Sequence, residues 1–310
     1  MQLIHGIENL LPEHRPSAVS IGNYDGVHLG HQHVIKTLLE QSQALNAPAT
    51  VITFEPLAKE FFRPGSVPLL HSVSQRAEQL FALGIDRVLC IEFTAEFAAY
   101  SPARFVEEVL LDGLGVRYLS VGDDFRFGKD RAGDFEFLKK FGESHDFSVT
   151  AHDTFEIGGS RVSSGRVREA LQNADFKLAE TLLGQPYTIS GVVSRGQQLG
   201  RTLDFPTANI VLEPTQTAVN GVYAVRAIGA GEVTVNGVAN IGTRPTVDGS
   251  ENRLEVHLFD FDADLYEKKL RVQVLHKIRD EQKFSSIDAL KIQIAADADS
   301  ARRYFQNHGN

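Results

Sequence analysis

Ala18-Val19-Ser20-Ile21-Gly22-Asn23-Tyr24-Asp25-Gly26-Val27-His28-Leu29-Gly30-His31 is the stretch on which the fold turns. Its apolar opening reads as a buried strand. The segment Gln32–Ala44 that follows places Val34, Ile35, Leu38 and Leu39 at helical spacing. A strand therefore runs through a glycine-bounded turn into a helix, and two imidazoles three residues apart stand where the helix opens. A helix start offers unsatisfied N–H donors and partial positive charge, which favours phosphate. Imidazoles there donate hydrogen bonds to phosphate oxygens as charge develops on them. Gly22, Asn23, Asp25, His28, Gly30 and His31 are the candidates of this turn.

Outward from it, short apolar strands alternate with helical patterns up to about residue 183. The strands are read at Ala18–Ile21, Thr50–Phe54, Arg87–Glu92, Val116–Val121 and Ser148–His152, with helices at Ser74–Leu83 and Pro102–Leu111. That alternation predicts a parallel, Rossmann-like α/β sheet whose ligands lie beyond the carboxyl ends of its strands. Gly122-Asp123-Asp124-Phe125-Arg126-Phe127-Gly128 follows the fourth strand at such a position. Asp123 and Asp124 read either as turn formers or, with Asp25, as Mg²⁺ ligands. Phe125 and Phe127 face either a ligand ring or the core.

After Leu183-Gly184-Gln185-Pro186 the period changes. Tyr187–Ser194, Ala208–Leu212, Gly221–Ile228, Glu232–Ile241, Arg253–Phe261 and Leu270–Ile278 read as six strands, predicting a closed antiparallel barrel. A final helix, Ser285–Phe305, would dock through Ile287, Leu290, Ile294 and Ala301. Two domains, 1–183 and 184–310, are expected, since one core rarely serves 310 residues.

The net charge of −9 argues against a general nucleic-acid binder. No apolar run is long enough to span a bilayer, and the N-terminus lacks the layout of a signal peptide. The single cysteine, Cys90, lies in an apolar strand and reads as a core thiol. A cytoplasmic protein, monomeric or weakly self-associating, is expected.

Ser163-Ser164-Gly165-Arg166-Val167-Arg168 opens another helix. Serines there are ordinary caps, yet with free helix N–H groups and arginine forks they also make an anion site. With the upstream His-x-x-His, the pattern fits one triphosphate held between two helix starts. The pair resembles the nucleotidyltransferase superfamily signature. The fuller strings 22–32 and 121–128 are similar to the bacterial FAD synthetases, whose N-terminal domain adenylylates FMN. That resemblance implies that His28 and His31 contact ATP phosphates, that Ser163, Ser164 and Arg168 bind the triphosphate, and that Asp124, Phe125, Arg126 and Phe127 lie near the flavin. Leu57 stands where many relatives have histidine, and Gly165 replaces a frequent hydroxyl residue.

In the second half, Thr207 and Asn209 lie two apart in an extended chain and so point the same way. Both offer oxygen ligands suited to Mg²⁺ on nucleotide phosphates. Glu255 and His257 share one strand face, with Leu254, Val256 and Leu258 on the other. Pro206-Thr207-Ala208-Asn209 with Glu255-Val256-His257 resembles the riboflavin kinase domain. The resemblance implies that Thr207 and Asn209 hold Mg²⁺–ATP, that Gly200 belongs to a phosphate-covering loop, and that Glu255 is the catalytic base. Asp204 and Glu267 depart from the family pattern, each at a frequent glycine. The whole implies riboflavin and ATP giving FMN, then FMN and a second ATP giving FAD and pyrophosphate. The alternatives are another nucleotidyltransferase fused to a barrel, or a non-enzymatic flavin-binding protein.

Overall fold

The computed structural model describes residues 1–195, 205–212, 217–231, 234–246 and 249–308. Gly200 and Asp204 lie outside the described residues. By its contacts the chain divides into two units. One comprises Met1–Val67 and Val73–Ser164, the other Pro68–Ser72 and Gly165–Asn310.

The first unit is built on six parallel strands. They are β1 (Gln2–His5), β2 (Ser17–Ile21), β3 (Ala49–Glu55), β4 (Arg87–Glu92), β5 (Val116–Gly122) and β6 (Ser148–His152). Their order in the sheet is β1-β4-β3-β2-β5-β6. Strand alternation sends Val19, Ile52, Leu89 and Leu119 into one apolar cluster and Ala18, Val51, Val88 and Tyr118 into another. The helix Leu29–Leu45 closes the second cluster with Ile35 and Leu38, and the helix Val73–Ala82 with Ala77 and Leu80. Phe105, Val106, Val109 and Leu110 close the first, from a helix whose second half, Val106–Gly113, winds as a π-helix. Each buried Leu, Ile or Phe contributes about 1.5–3 kcal/mol, so both faces must be covered for the sheet to persist.

The chain lays down β2, steps to β3 and β4 on one side, then returns to place β5 on the other. The carboxyl ends of β2 and β5 thus border the topological switch point, where open α/β sheets bind ligands. The turns 22–28 and 122–128 leave from those two ends. The edge strand β1 and the hairpin β7 (Glu156–Ile157) with β8 (Ser160–Arg161) were not among the expected strands. They are too short to show a period.

In the second unit β9 (Thr188–Ser194), β10 (Ala208–Val211), β11 (Gly221–Ile228), β12 (Val235–Thr246), β13 (Gly249–Leu258) and β14 (Lys269–Arg279) close into a barrel. Their order is β10-β13-β12-β11-β14-β9, antiparallel throughout. The terminal helix runs from Ile287 to His308. Of its expected apolar stripe, Ala301 is buried and Leu290 and Ile294 are half-buried, but Ile287 is 62% exposed, and Asp297, Ala298 and Phe305 join the buried face. Asp297 is tolerated inside because Arg279 grips its carboxylate at 2.7–3.1 Å.

Candidate active sites

Left-handed backbone builds the first site. Tyr24 (φ 49°), Gly26 (φ 87°) and Val27 (φ 41°) bend the chain sharply after β2. A β-branched residue such as Val27 rarely adopts that region, so surrounding bonds must hold it. Gln32 Nε2 donates to the Val27 carbonyl at 2.9 Å. Thr53 Oγ1 and Arg76 Nη1 donate to the Asn23 carbonyl at 3.0 and 2.8 Å. Ser164 Oγ donates to the Asp25 carbonyl at 2.8 Å, joining the two phosphate-type motifs.

His28 caps the helix Leu29–Leu45: its Nδ1 accepts from the His31 N–H at 3.3 Å. An accepting Nδ1 places the proton of the neutral ring on Nε2, leaving that edge to donate. The two imidazoles stack with centroids 3.7 Å apart, and Tyr24 packs at 4.9 Å against His31. Burial, together with the charges of His28, Arg161 and Arg76, holds His31 well below its usual pKa. Its buried Nδ1 has no hydrogen-bond partner. A neutral, desolvated donor among cationic groups is suited to an entering anion. The Tyr24 hydroxyl donates to Ser20 Oγ at 2.7 Å, and burial pushes it up to about 12.

The turn after β5 is tied down by its own partners. Arg161 forks onto Asp124 at 2.8 and 3.3 Å and holds its carboxyl below the usual range. Arg126 pairs with Asp134, the cap of the helix Phe135–His145. Phe125 and Phe127 stack at 5.5 Å and pack against the core, and Phe127 also meets Phe105 and Phe137. Among the described residues no group of three or more His, Cys, Asp or Glu side chains is placed to hold a metal. Asp25, Asp123 and Asp124 therefore do not form a cage. Arg168 belongs to the second unit, where its Nε donates to the Pro68 carbonyl at 2.7 Å. Leu57 is buried, 3% exposed.

The second site is a row across three strands. Register places Asn209 on β10 and Asn240 on β12 directly opposite Glu255 of β13. Directly opposed residues share a face of the sheet. Leu254, Val256 and Leu258 are buried on the other, as the alternation requires. Asn209 Nδ2 reaches Thr207 Oγ1 at 3.4 Å, so hydroxyl and amide converge. His257 Nδ1 lies 2.9 Å from the Pro206 carbonyl and fixes the entry to β10.

Sequence reasoning missed Arg76, Thr53, Arg161 and Asn240. Arg76 had a signal: it is a cation on the face of its helix that buries Ala77 and Leu80. Asn240 had none, since only strand register brings it beside Glu255.

Two family models match the chain, one described as FAD synthetase over residues 10–166 and one as riboflavin kinase over 183–305. The bifunctional riboflavin kinase/FMN adenylyltransferase of Pseudomonas fluorescens is 48% identical, covering 97% of each chain. Its namesake from Escherichia coli (strain K12) is 46% identical over 98% of each. The chain belongs to the bifunctional riboflavin kinase/FMN adenylyltransferase family. A crystal structure titled macrolide-efflux protein, from Streptococcus pneumoniae, superposes with a TM-score of 0.77 at 29% identity, over 97% of this chain and 99% of that one. This family member thus makes FMN from riboflavin and FAD from FMN, and the expected order of its two family segments holds. The alternatives of an unrelated barrel fusion and of a non-enzymatic flavin binder fall with these matches.

Proposed function

We propose that the two reactions are divided between the two halves, with residues 1–183 carrying adenylyl transfer and 184–310 carrying phosphorylation. One observation carries this reading. The two constellations of chemically competent side chains, His28, His31 and Ser164 on one side and Thr207, Asn209 and Glu255 on the other, fall in different compact units.

In the first reaction an oxygen of the FMN phosphate attacks the α-phosphorus of ATP, and pyrophosphate leaves. The nucleophile is already an anion, so positioning and charge neutralisation suffice without a strong base. The Nε2–H of His28 and the ring of His31 donate to the ATP phosphates. Gly22, Asn23, Asp25 and Gly30 of the turn, together with Ser163 and Ser164, take the remaining phosphate oxygens. Asp124, Phe125, Arg126 and Phe127 form the wall nearest the flavin, with Asp124 paired to Arg161, Arg126 to Asp134, and the two rings packed against the core.

In the second reaction the nucleophile is a neutral ribityl alcohol, so a base is required. Glu255 takes that proton as the oxygen attacks the γ-phosphorus of ATP. Thr207 and Asn209 present hard oxygen donors, a set that fits Mg²⁺, which needs only one or two protein ligands beside substrate phosphates. Thr207 and Asn209 hold the metal, which when bound neutralises phosphate charge. On the same proposal the enzyme works in the cytoplasm, as a monomer or weak homo-oligomer. Among the described residues no helix is long and apolar enough to cross a membrane.

The test is to incubate each variant with riboflavin or FMN, ATP and Mg²⁺ and to resolve the flavins by chromatography. Glu255→Ala is expected to lose FMN formation while still converting supplied FMN to FAD. His28→Ala combined with His31→Ala is expected to do the reverse. A folded variant that lost both activities would overturn the division of labour.

A further inference from the structure

We propose that Arg76 is a positioning residue for adenylyl transfer, its buried guanidinium clamping the Asn23 carbonyl and with it the turn that presents His28 and His31. The inference rests on the reading that those two imidazoles meet the ATP phosphates, and it deepens that reading.

A guanidinium inside a protein persists only where partners replace its water. The Arg76 side chain has no exposed surface. Its Nη1 donates to the Asn23 carbonyl and to Thr53 Oγ1, both at 2.8 Å. Its Nη2 donates to Glu55 Oε2 at 2.7 Å and reaches the Phe54 carbonyl at 3.5 Å. One side chain thus ties the carboxyl end of β3 to the turn leaving β2. Thr53 closes the triangle, accepting from Arg76 while donating to Asn23 at 3.0 Å.

The turn needs such a clamp. Three of the four residues after Asn23, namely Tyr24, Gly26 and Val27, have positive φ. Backbone of this kind persists only where its surroundings over-determine it. The other fasteners of the turn, from Gln32 and Ser164, are neutral. Arg76 alone among these bonds brings a charge, and that charge also reaches His31 beside those of His28 and Arg161. A lysine would keep the charge but lose the fork, for a single ammonium cannot span Asn23, Thr53 and Glu55 at once.

The experiment uses the full chain carrying Arg76→Lys, Arg76→Met or Thr53→Val, with both reactions assayed on each sample. Arg76→Lys is expected to lower kcat for FMN adenylylation by about a hundredfold, the loss that a small misplacement of reacting groups brings. Riboflavin phosphorylation should stay unchanged. Thr53→Val removes one corner of the triangle and should give a smaller loss in the same reaction; it decides the matter if the Arg76 variants fail to fold. Arg76→Met should also move the acid limb of the adenylylation pH profile upward, since a positive charge near His31 is gone. A merely structural role would not shift that limb. Unchanged adenylylation in Arg76→Lys and Thr53→Val, or a parallel fall of both activities, would overturn the proposal. The His28→Ala, His31→Ala double variant separates the two failures. If it retains adenylylation the parent reading falls, whereas if it is inactive and Arg76→Lys is not, only the clamp falls.

Discussion

Gly30 stands where a methyl group would meet the His28 imidazole at 3.2 Å and the Val162 carbonyl at 3.4 Å. Its backbone φ is ordinary, so space rather than conformation demands glycine here. Gly30→Ala should displace the His28 ring by a few tenths of an ångström and lower adenylylation by about tenfold or more, because transfer depends on placement. Riboflavin phosphorylation, measured on the same sample, should not change. His31 adds a pH dependence. Its folded form refuses a proton that the unfolded chain accepts near 6.5. The unfolded state therefore binds more protons below that value, and stability falls as pH drops. Thermal unfolding followed from pH 7.5 downward should show a shallower acid decline for His31→Gln than for the parent chain; equal slopes would rule this out. The imidazole pair stood out in sequence because of its neighbours: two histidines at a helix start are most often plain surface residues, and only the glycine-bounded turn before them and the distant Ser163–Arg168 segment pointed to phosphate. Arg76 stands out in sequence as a cation on a buried helix face, but its role does not: its target is a backbone carbonyl, and no side-chain motif encodes a carbonyl's position.

At the scale of elements, periodicity identified β4 and β6 to the residue and the barrel strand β11 likewise. It failed where tertiary partners override pattern. The terminal helix docks through Asp297, whose burial makes sense only once Arg279, eighteen residues earlier on β14, is seen to neutralise it. Removing one member of such a buried pair strands the other. Asp297→Ala should therefore destabilise the second unit by about 3–5 kcal/mol, read by urea unfolding. The exposed pair Arg302–Asp260, by contrast, should contribute little, and Asp260→Ala serves as its control. The Glu267 departure also acquires a cause. Its φ of 64° lies in the left-handed region, and its N–H donates to the Val193 carbonyl at 2.9 Å just ahead of β14. Glycine suits that backbone better, so Glu267→Gly should raise stability by about 1 kcal/mol. A loss instead would show that the Glu267 side chain itself contributes.

For the molecule as a whole, the order of the halves is the reverse of the order of the reactions. FMN forms on the riboflavin kinase segment and is consumed on the FAD synthetase segment that precedes it in the chain. Among the described residues of either site, nothing requires FMN to pass from one to the other without entering solution. Two inactive halves should then complement each other. A mixture of Glu255→Ala with the His28→Ala, His31→Ala double variant, given riboflavin and ATP, is expected to make FAD although neither protein does so alone. FMN should accumulate first, and the lag before FAD appears should shorten as the Glu255→Ala partner is raised in concentration, because that partner consumes the dissolved pool. The parent chain at the same concentration sets the comparison. If it shows the same lag as an equimolar mixture of the variants, each molecule draws FMN from solution. If the mixture makes FMN but no FAD, while supplied FMN is still adenylylated, the FMN is retained where it forms, and the two sites must exchange it within one chain.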